Sequence, residues 1–106
     1  MLLVVQIPCL NEEDTIASVI SDVRDATLGI QTRISIVDDG STDRTVEVAL
    51  QAGADMVARH PRNRGLAYAY RTGLAASVNM GAAVIVNTDA DSQYNAACIP
   101  DLIRPI

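Results

Sequence analysis

A chain of 106 residues supports one small domain that buries roughly 60–70 % of its unfolded surface. Its formal charge of −5 excludes a general phosphate-backbone binder, whose affinity rests on clustered cations, so nucleic acid is not an expected partner. All eight basic residues are Arg, which rules out a P-loop ending in Gly-Lys-Ser/Thr and a Schiff-base lysine; Phe and Trp are absent too, leaving Ala, Val, Ile and Leu to build the core.

In chain order, Leu2–Pro8 reads as a first strand. A helix follows over about Glu13–Ala26, with Ile16, Val19, Ile20 and Val23 at helical spacing and Asn11 as the expected N-cap ahead of acidic first-turn residues. Ile34–Asp38 reads as a second strand and Asp43–Ala52 as a second helix, with Val46, Ala49 and Leu50 inward and Gly53 at its end. Met56–Arg59 makes a short third strand. Arg64–Met80 is a long helix with Leu66, Tyr70, Leu74 and Val78 on one side, Asn63 as its cap and Gly81 just past its end. Ala83–Asp89 is the fourth strand. Alternating strands and helices imply a mainly parallel sheet with right-handed crossovers and helices on both faces, in the order 3-2-1-4. Ile99–Arg104 looks like a helix just beginning, with nothing after it to cover the fourth strand. The expected reading is therefore a single domain over 1–106 that is the N-terminal part of something larger. The uncovered Ala83–Thr88 edge is expected to self-associate.

Cys9 and Cys98 are far apart in sequence, with no second CxxC or His cluster. They read as two reduced, partly buried thiols of a cytoplasmic protein. No apolar stretch reaches the roughly 18 residues needed to span a bilayer, and Met1–Val5 lacks the basic flank and length of a signal peptide.

Chemistry concentrates at strand ends. Asp38-Asp39-Gly40-Ser41-Thr42-Asp43 combines a doubled carboxylate, a turn glycine and hydroxyls ahead of a helix. Capping accounts for Thr42 and Asp43 but not for the acids at 38 and 39. Asp89-Ala90-Asp91-Ser92-Gln93 places oxygen-bearing side chains at alternating positions, which project to one side in extended backbone and suit Mg²⁺ or Mn²⁺. Taken alone, a solvated acidic turn explains it equally well, and an EF-hand is excluded by the missing glycine and glutamate. Because ligands of open α/β sheets bind beyond the carboxyl ends of the strands, both acidic motifs are expected to face one cleft. Arg59-His60-Pro61-Arg62-Asn63-Arg64-Gly65 is the one basic cluster, expected as a solvated loop with His60 exposed; Tyr68 and Tyr70 are expected to pack.

Four motifs in this order, Ile7-Pro8-Cys9-Leu10-Asn11-Glu12-Glu13, Val37 through Asp43, Asn63-Arg64-Gly65 through Gly73, and Asp89-Ala90-Asp91, resemble the family two glycosyltransferases with a GT-A fold. Asp89-x-Asp91-x-Gln93 and the Asn-Arg-Gly helix are most similar to dolichyl-phosphate mannose synthases and related polyprenyl-phosphate glycosyltransferases. The resemblance maps the chain onto the nucleotide-binding half of that Rossmann-like α/β fold. It implies that Pro8, Leu10 and Glu12 surround base and ribose, that Val37 and Asp39 complete the pocket, and that Asp89, Ala90 and Asp91 meet ribose, diphosphate and metal, with Gln93 a further metal ligand. It further implies Mg²⁺ or Mn²⁺ as cofactor, a UDP- or GDP-linked sugar as donor, inverting transfer, a lipid-phosphate acceptor, and a full-length protein working at the inner face of the membrane. Leu10 departs from the aromatic residue many relatives carry there, which weakens base stacking. The usual catalytic carboxylate of the family lies beyond Ile106, so no general base is assigned. Two other classes compete: a non-catalytic nucleotide-binding module, and a phosphoacceptor receiver domain, whose lysine has no counterpart here and whose acidic pair follows the first strand rather than the second.

Overall fold

The computed structural model describes residues 1–88. Aliphatic side chains crowd Leu3–Cys9 and Thr32–Asp38, and these become the two central strands, β1 and β2. They alternate with α1 (Ile16–Ala26), α2 (Thr45–Gln51), β3 (Met56–Arg59), α3 (Leu66–Asn79) and β4 (Val84–Asn87). All strand pairs are parallel, in the order β3-β2-β1-β4, as the alternation predicts. The chain steps outward from β1 to β3, then returns to the far side of β1, so the direction of winding reverses between β1 and β4. Crevices at such reversals take ligands.

Successive strand residues point to opposite faces. Leu3, Val5, Ile7 and Cys9 of β1 join Ile34 and Ile36 of β2 and Val86 of β4 against Ile16, Val19, Ile20 and Val23 of α1 and Ala49 of α2. Each large aliphatic side chain buried there contributes about 1.5–3 kcal/mol. The other face carries Val4, Gln6 and Pro8 with Ser35 and Val37. There α3 presents small residues, Ala69, Gly73, Ala76 and Ser77. A Cβ at Gly73 would meet Gln6 Oε1 at 3.0 Å, so the helix sits close because position 73 has no side chain. Gln6 is held on both sides: its Nε2 donates to Asn87 Oδ1 at 3.0 Å, and its Oε1 accepts from Ser77 Oγ at 3.0 Å.

Several expectations are corrected. The α3 stripe Leu66, Tyr70, Leu74 and Val78 is not the buried side: Leu66 is 72 % and Val78 66 % exposed, because close approach to the sheet selects Gly, Ala and Ser. In α2, Leu50 is 55 % exposed, while Val48 and Ala52 pack against the core beside Ala49. Asn11 does not cap α1, which starts at Ile16 with no acid in its first turn and no side-chain cap. Asn11 instead adopts φ 53°, and its Oδ1 accepts the Thr42 N–H at 2.9 Å. Gly53 and Gly81 do end their helices in left-handed conformation.

Candidate functional site

The Asp38-Asp39 doublet splits across the sheet because strand side chains alternate. Asp38, on the α1 and α2 side and fully buried, closes its own turn. It accepts from the Ser41 N–H at 3.1 Å and from Ser41 Oγ, and Arg59 Nε lies 3.6 Å away. Cys9 Sγ donates to it at 3.8 Å, and burial, followed by the charge of Asp38, pushes the Cys9 thiol far above the ordinary range. Asp38 therefore does not face a cleft, and Cys9 is no nucleophile.

Asp39 turns the other way, toward α3. Its Oδ1 accepts from His60 Nδ1 at 2.8 Å and from the Arg64 N–H at 2.9 Å; its Oδ2 accepts the Gly65 N–H at 2.9 Å. Burial alone raises its pKa, but these hydrogen bonds outweigh burial and hold it below the ordinary value. One carboxylate thus fixes the loop that launches α3. Asn63 contributes as well, accepting the Gly65 N–H at 3.0 Å, but the cap position belongs to Gly65 and has no side-chain bond of its own. Gly40 makes this approach possible. At φ 91°, a Cβ on it would fall 2.7 Å from the backbone of Arg62 and Asn63.

The loop after β1 is sewn to the loop after β2. Ser41 Oγ accepts the Asn11 N–H at 2.9 Å, Thr45 Oγ1 accepts the Glu12 N–H at 2.8 Å, and Asp43 Oδ2 accepts the Glu13 N–H at 3.3 Å. Asp43 also accepts from the Thr45 N–H at 2.9 Å and from Thr45 Oγ1, and the bond from the Thr45 hydroxyl, outweighing the upward pull of burial, holds its pKa below the ordinary value. Pro8 pairs in register with Val37, on the face where Asp39 follows. Pro8, Val37 and Asp39 therefore share the α3 side of the carboxyl edge. Val37 is fully buried and can only form the floor there. Leu10 and Glu12 occupy the sewn loop, half-buried, with Glu12 Oε2 accepting from Thr15 Oγ1 at 3.3 Å.

Asp89, Ala90, Asp91 and Gln93 lie outside the described residues, as do Cys98 and the Ile99–Arg104 stretch. Among the described residues no group of three His, Cys, Asp or Glu side chains could hold a metal ion. Asp38 and Asp39 are already engaged by protein donors. No helix among the described residues is long and apolar enough to cross a membrane.

His60 and Thr72 are the site-adjacent residues that sequence reasoning missed. His60 is 7 % exposed rather than solvated. The available signal was register: β2 and β3 pair Asp38 with Arg59, so one step further sets Asp39 beside His60. Tyr68, expected to pack, is 42 % exposed with its ring edge-on to His60 and Arg64 over its face; Tyr70 is 44 % exposed.

Fold and strand-end geometry together define a doubly wound α/β domain, a class whose ligands sit at the carboxyl edge of the sheet. Residues 4–106 match Glycosyl transferase family 2, and the chain belongs to that family. It is 33 % identical over 93 residues to the dolichyl-phosphate hexose transferase of Haloferax volcanii, covering 88 % of this chain and 38 % of that protein. It is 29 % identical over 116 residues to the UDP-N-acetylglucosamine–dolichyl-phosphate N-acetylglucosaminyltransferase of Methanococcus voltae, covering 94 % of this chain and 45 % of that one. The chain spans less than half the length of these relatives. Among solved structures it superposes with a TM-score of 0.80 and 31 % identity on glucosyl-3-phosphoglycerate synthase from Mycobacterium tuberculosis in complex with Mn²⁺, UDP and phosphoglyceric acid, covering 97 % of this chain and 38 % of that one. The Pyrobaculum calidifontis mannosyltransferase in complex with GDP-Man and Mn²⁺ shares the fold, with a TM-score of 0.69 at 23 % identity over 91 % of this chain and 29 % of that one. These neighbours are GT-A glycosyltransferases, the fold class the sequence motifs imply.

Proposed function

We propose that this chain binds the donor of an inverting, metal-dependent glycosyltransferase: a UDP- or GDP-linked sugar, transferred in the whole protein to a lipid phosphate. The observation that carries the reading is the convergence of Pro8, Val37 and Asp39 on one side of the carboxyl edge, beside the winding reversal between β1 and β4. The dolichyl-phosphate relatives support the lipid acceptor, and the UDP and Mn²⁺ complex of the mycobacterial neighbour supports nucleotide and cation. In this reading Pro8, Leu10 and Glu12 border base and ribose, Val37 supplies an apolar floor, and Asp39 accepts a hydrogen bond from the base. Asp89, Ala90 and Asp91 meet ribose and diphosphate, with Asp89, Asp91 and Gln93 holding Mg²⁺ or Mn²⁺. The bound cation supplies charge neutralisation for the departing diphosphate. An acceptor oxygen forms the new bond to the anomeric carbon as the bond to the diphosphate breaks on the opposite face, and the diphosphate leaves with the electron pair.

The test is thermal melting with each nucleoside diphosphate and Mn²⁺. At about 100 times Kd, bound ligand adds about 2.7 kcal/mol, a shift of several degrees in a domain this small, and chelation removes most of it. Asp91→Asn keeps the shape but weakens metal-dependent binding about tenfold, about 1.4 kcal/mol. A melting curve unmoved by every nucleoside diphosphate at millimolar concentration would sink the proposal. Binding without turnover when an NDP-sugar and a polyprenyl phosphate are supplied to the whole protein would instead favour a non-catalytic nucleotide-binding module.

A further inference from the structure

A histidine in the wall of this site has both ring nitrogens engaged. His60 Nδ1 lies 2.8 Å from Asp39 Oδ1, and its Nε2 lies 2.9 Å from Thr72 Oγ1 on α3. The Tyr68 ring stands edge-on at 5.1 Å and 77°. An ionised carboxylate can only accept, so the proton shared with Asp39 sits on Nδ1, and the Thr72 hydroxyl completes Nε2. Turning the imidazole would break both bonds at once. Asp39 is pinned in consequence. Of the about four acceptor positions of a carboxylate, Oδ1 uses its two on His60 and the Arg64 N–H, and Oδ2 uses one on the Gly65 N–H. A single acceptor position remains, on Oδ2.

We infer that His60 and Thr72 are positioning residues for base discrimination: they lock Asp39 so that its one remaining acceptor is presented in a fixed direction. This rests on the donor-binding reading above. A fixed lone acceptor favours a base whose ring edge carries an N–H, as uracil and guanine do. It opposes cytosine, whose corresponding ring nitrogen is itself an acceptor. Remove the imidazole, and Oδ1 regains an open position while the carboxylate is free to turn toward the cytosine exocyclic amine. Discrimination then falls further than affinity.

Calorimetric titration of the full chain with UDP, GDP and CDP in the presence of Mn²⁺ tests this, with the melting temperature of each variant recorded alongside. The wild type prefers UDP or GDP to CDP, and His60→Ala lowers that preference about tenfold, the scale of one hydrogen bond to a charged group. His60→Asn, whose amide N–H falls near the position of Nδ1, restores most of the preference. Thr72→Val keeps the volume at Nε2 and lowers it about threefold, and with His60→Asn it decides the matter should His60→Ala not fold. Unchanged preference in both His60→Ala and Thr72→Val overturns the inference. So does an equal loss for all three nucleotides that tracks melting temperature and is not rescued by His60→Asn. If the wild type binds no nucleoside diphosphate at all, the donor-binding reading itself fails; if it binds and discriminates while His60→Ala and Thr72→Val both discriminate equally well, only the positioning role does.

Discussion

The two faces of the sheet share the same strands yet are closed by different chemistry. Toward α1 and α2 the contact is almost wholly aliphatic, Leu3, Val5, Ile7, Ile34 and Ile36 against Ile16, Ile20 and Val23. Toward α3 it is partly polar, with Gln6, Ser35 and Ser77 buried among alanines and a glycine. Apolar burial is roughly proportional to area and has no direction, so the first face contributes stability while tolerating small shifts. Buried hydrogen bonds have direction, and one left unmade costs more than one made contributes. The second face therefore sets where α3 lies, and α3 carries Thr72 and continues the loop that Asp39 holds. Bulk stability and site geometry are divided between the two sides.

The sharpest break in that division comes from Ile36→Ala. Removing a fully buried branched side chain from the aliphatic face costs about 2–5 kcal/mol, a large share of the total for a domain this small, read by urea unfolding. A cost under about 1 kcal/mol would mean that this face is not the main stabiliser. Ser77→Ala probes the opposite side. It strips Gln6 Oε1 of its donor at a buried position, and about 1–3 kcal/mol is lost. Combining it with Gln6→Leu recovers part of the loss, because the orphaned acceptor at position 6 is gone and the exposed Asn87 Oδ1 can turn to water; strict additivity in the double-mutant cycle would show the pair to be uncoupled.

Acid offers a smaller handle. Asp39 and Asp55 are both depressed in the fold. At Asp55 burial acts upward but is outweighed by the Ile34 N–H and then by Arg24 and Arg33. A depressed carboxylate contributes stability that is fully present above its unfolded value, about 3.9, and is lost as pH falls through the lower folded value. Unfolding free energy should therefore decline below about pH 4, and Asp39→Asn should flatten that decline. An identical pH profile in the variant would remove Asp39 from the account. Least of all should happen at the exposed α3 stripe, where Val78→Thr and Leu66→Ser are expected to stay within about 0.5 kcal/mol of the wild type. A larger loss would restore that stripe to the core.

Strand order and element sequence were legible because β-branched runs and helical spacing are local signals, and crossover rules leave few topologies. The inward side of α3 was not. Leu66, Tyr70, Leu74 and Val78 repeat at helical spacing, but the sheet beneath admits only Ala, Gly and Ser, and that depends on the distance at which Gly73 meets Gln6. The doubled acid at 38 and 39 stands out in the sequence, yet its division into a turn-closing carboxylate and a loop-holding one follows from pleat direction and from partners 21 to 26 residues away. Asn11 failed as a cap for a related reason: its side chain satisfies a backbone N–H 31 residues later, not one in its own helix. Long-range polar partners leave little trace in local sequence.

Of the described strands, β1 is also made before every strand it pairs with. β1 pairs with β2, which is complete by Asp38, but its other edge is completed by β4, and Gln6 and Asn87 are separated by 81 residues. A chain growing from its N-terminus thus carries β1 with one row of backbone N–H and C=O groups unmatched until nearly all of the described residues have emerged. Unmatched edges of this kind are what chaperones and misassembly act upon during synthesis. In vectorial synthesis the final pairing depends on α3 first swinging back across the sheet, so a pause in translation before residue 84 would prolong the interval in which that edge is open.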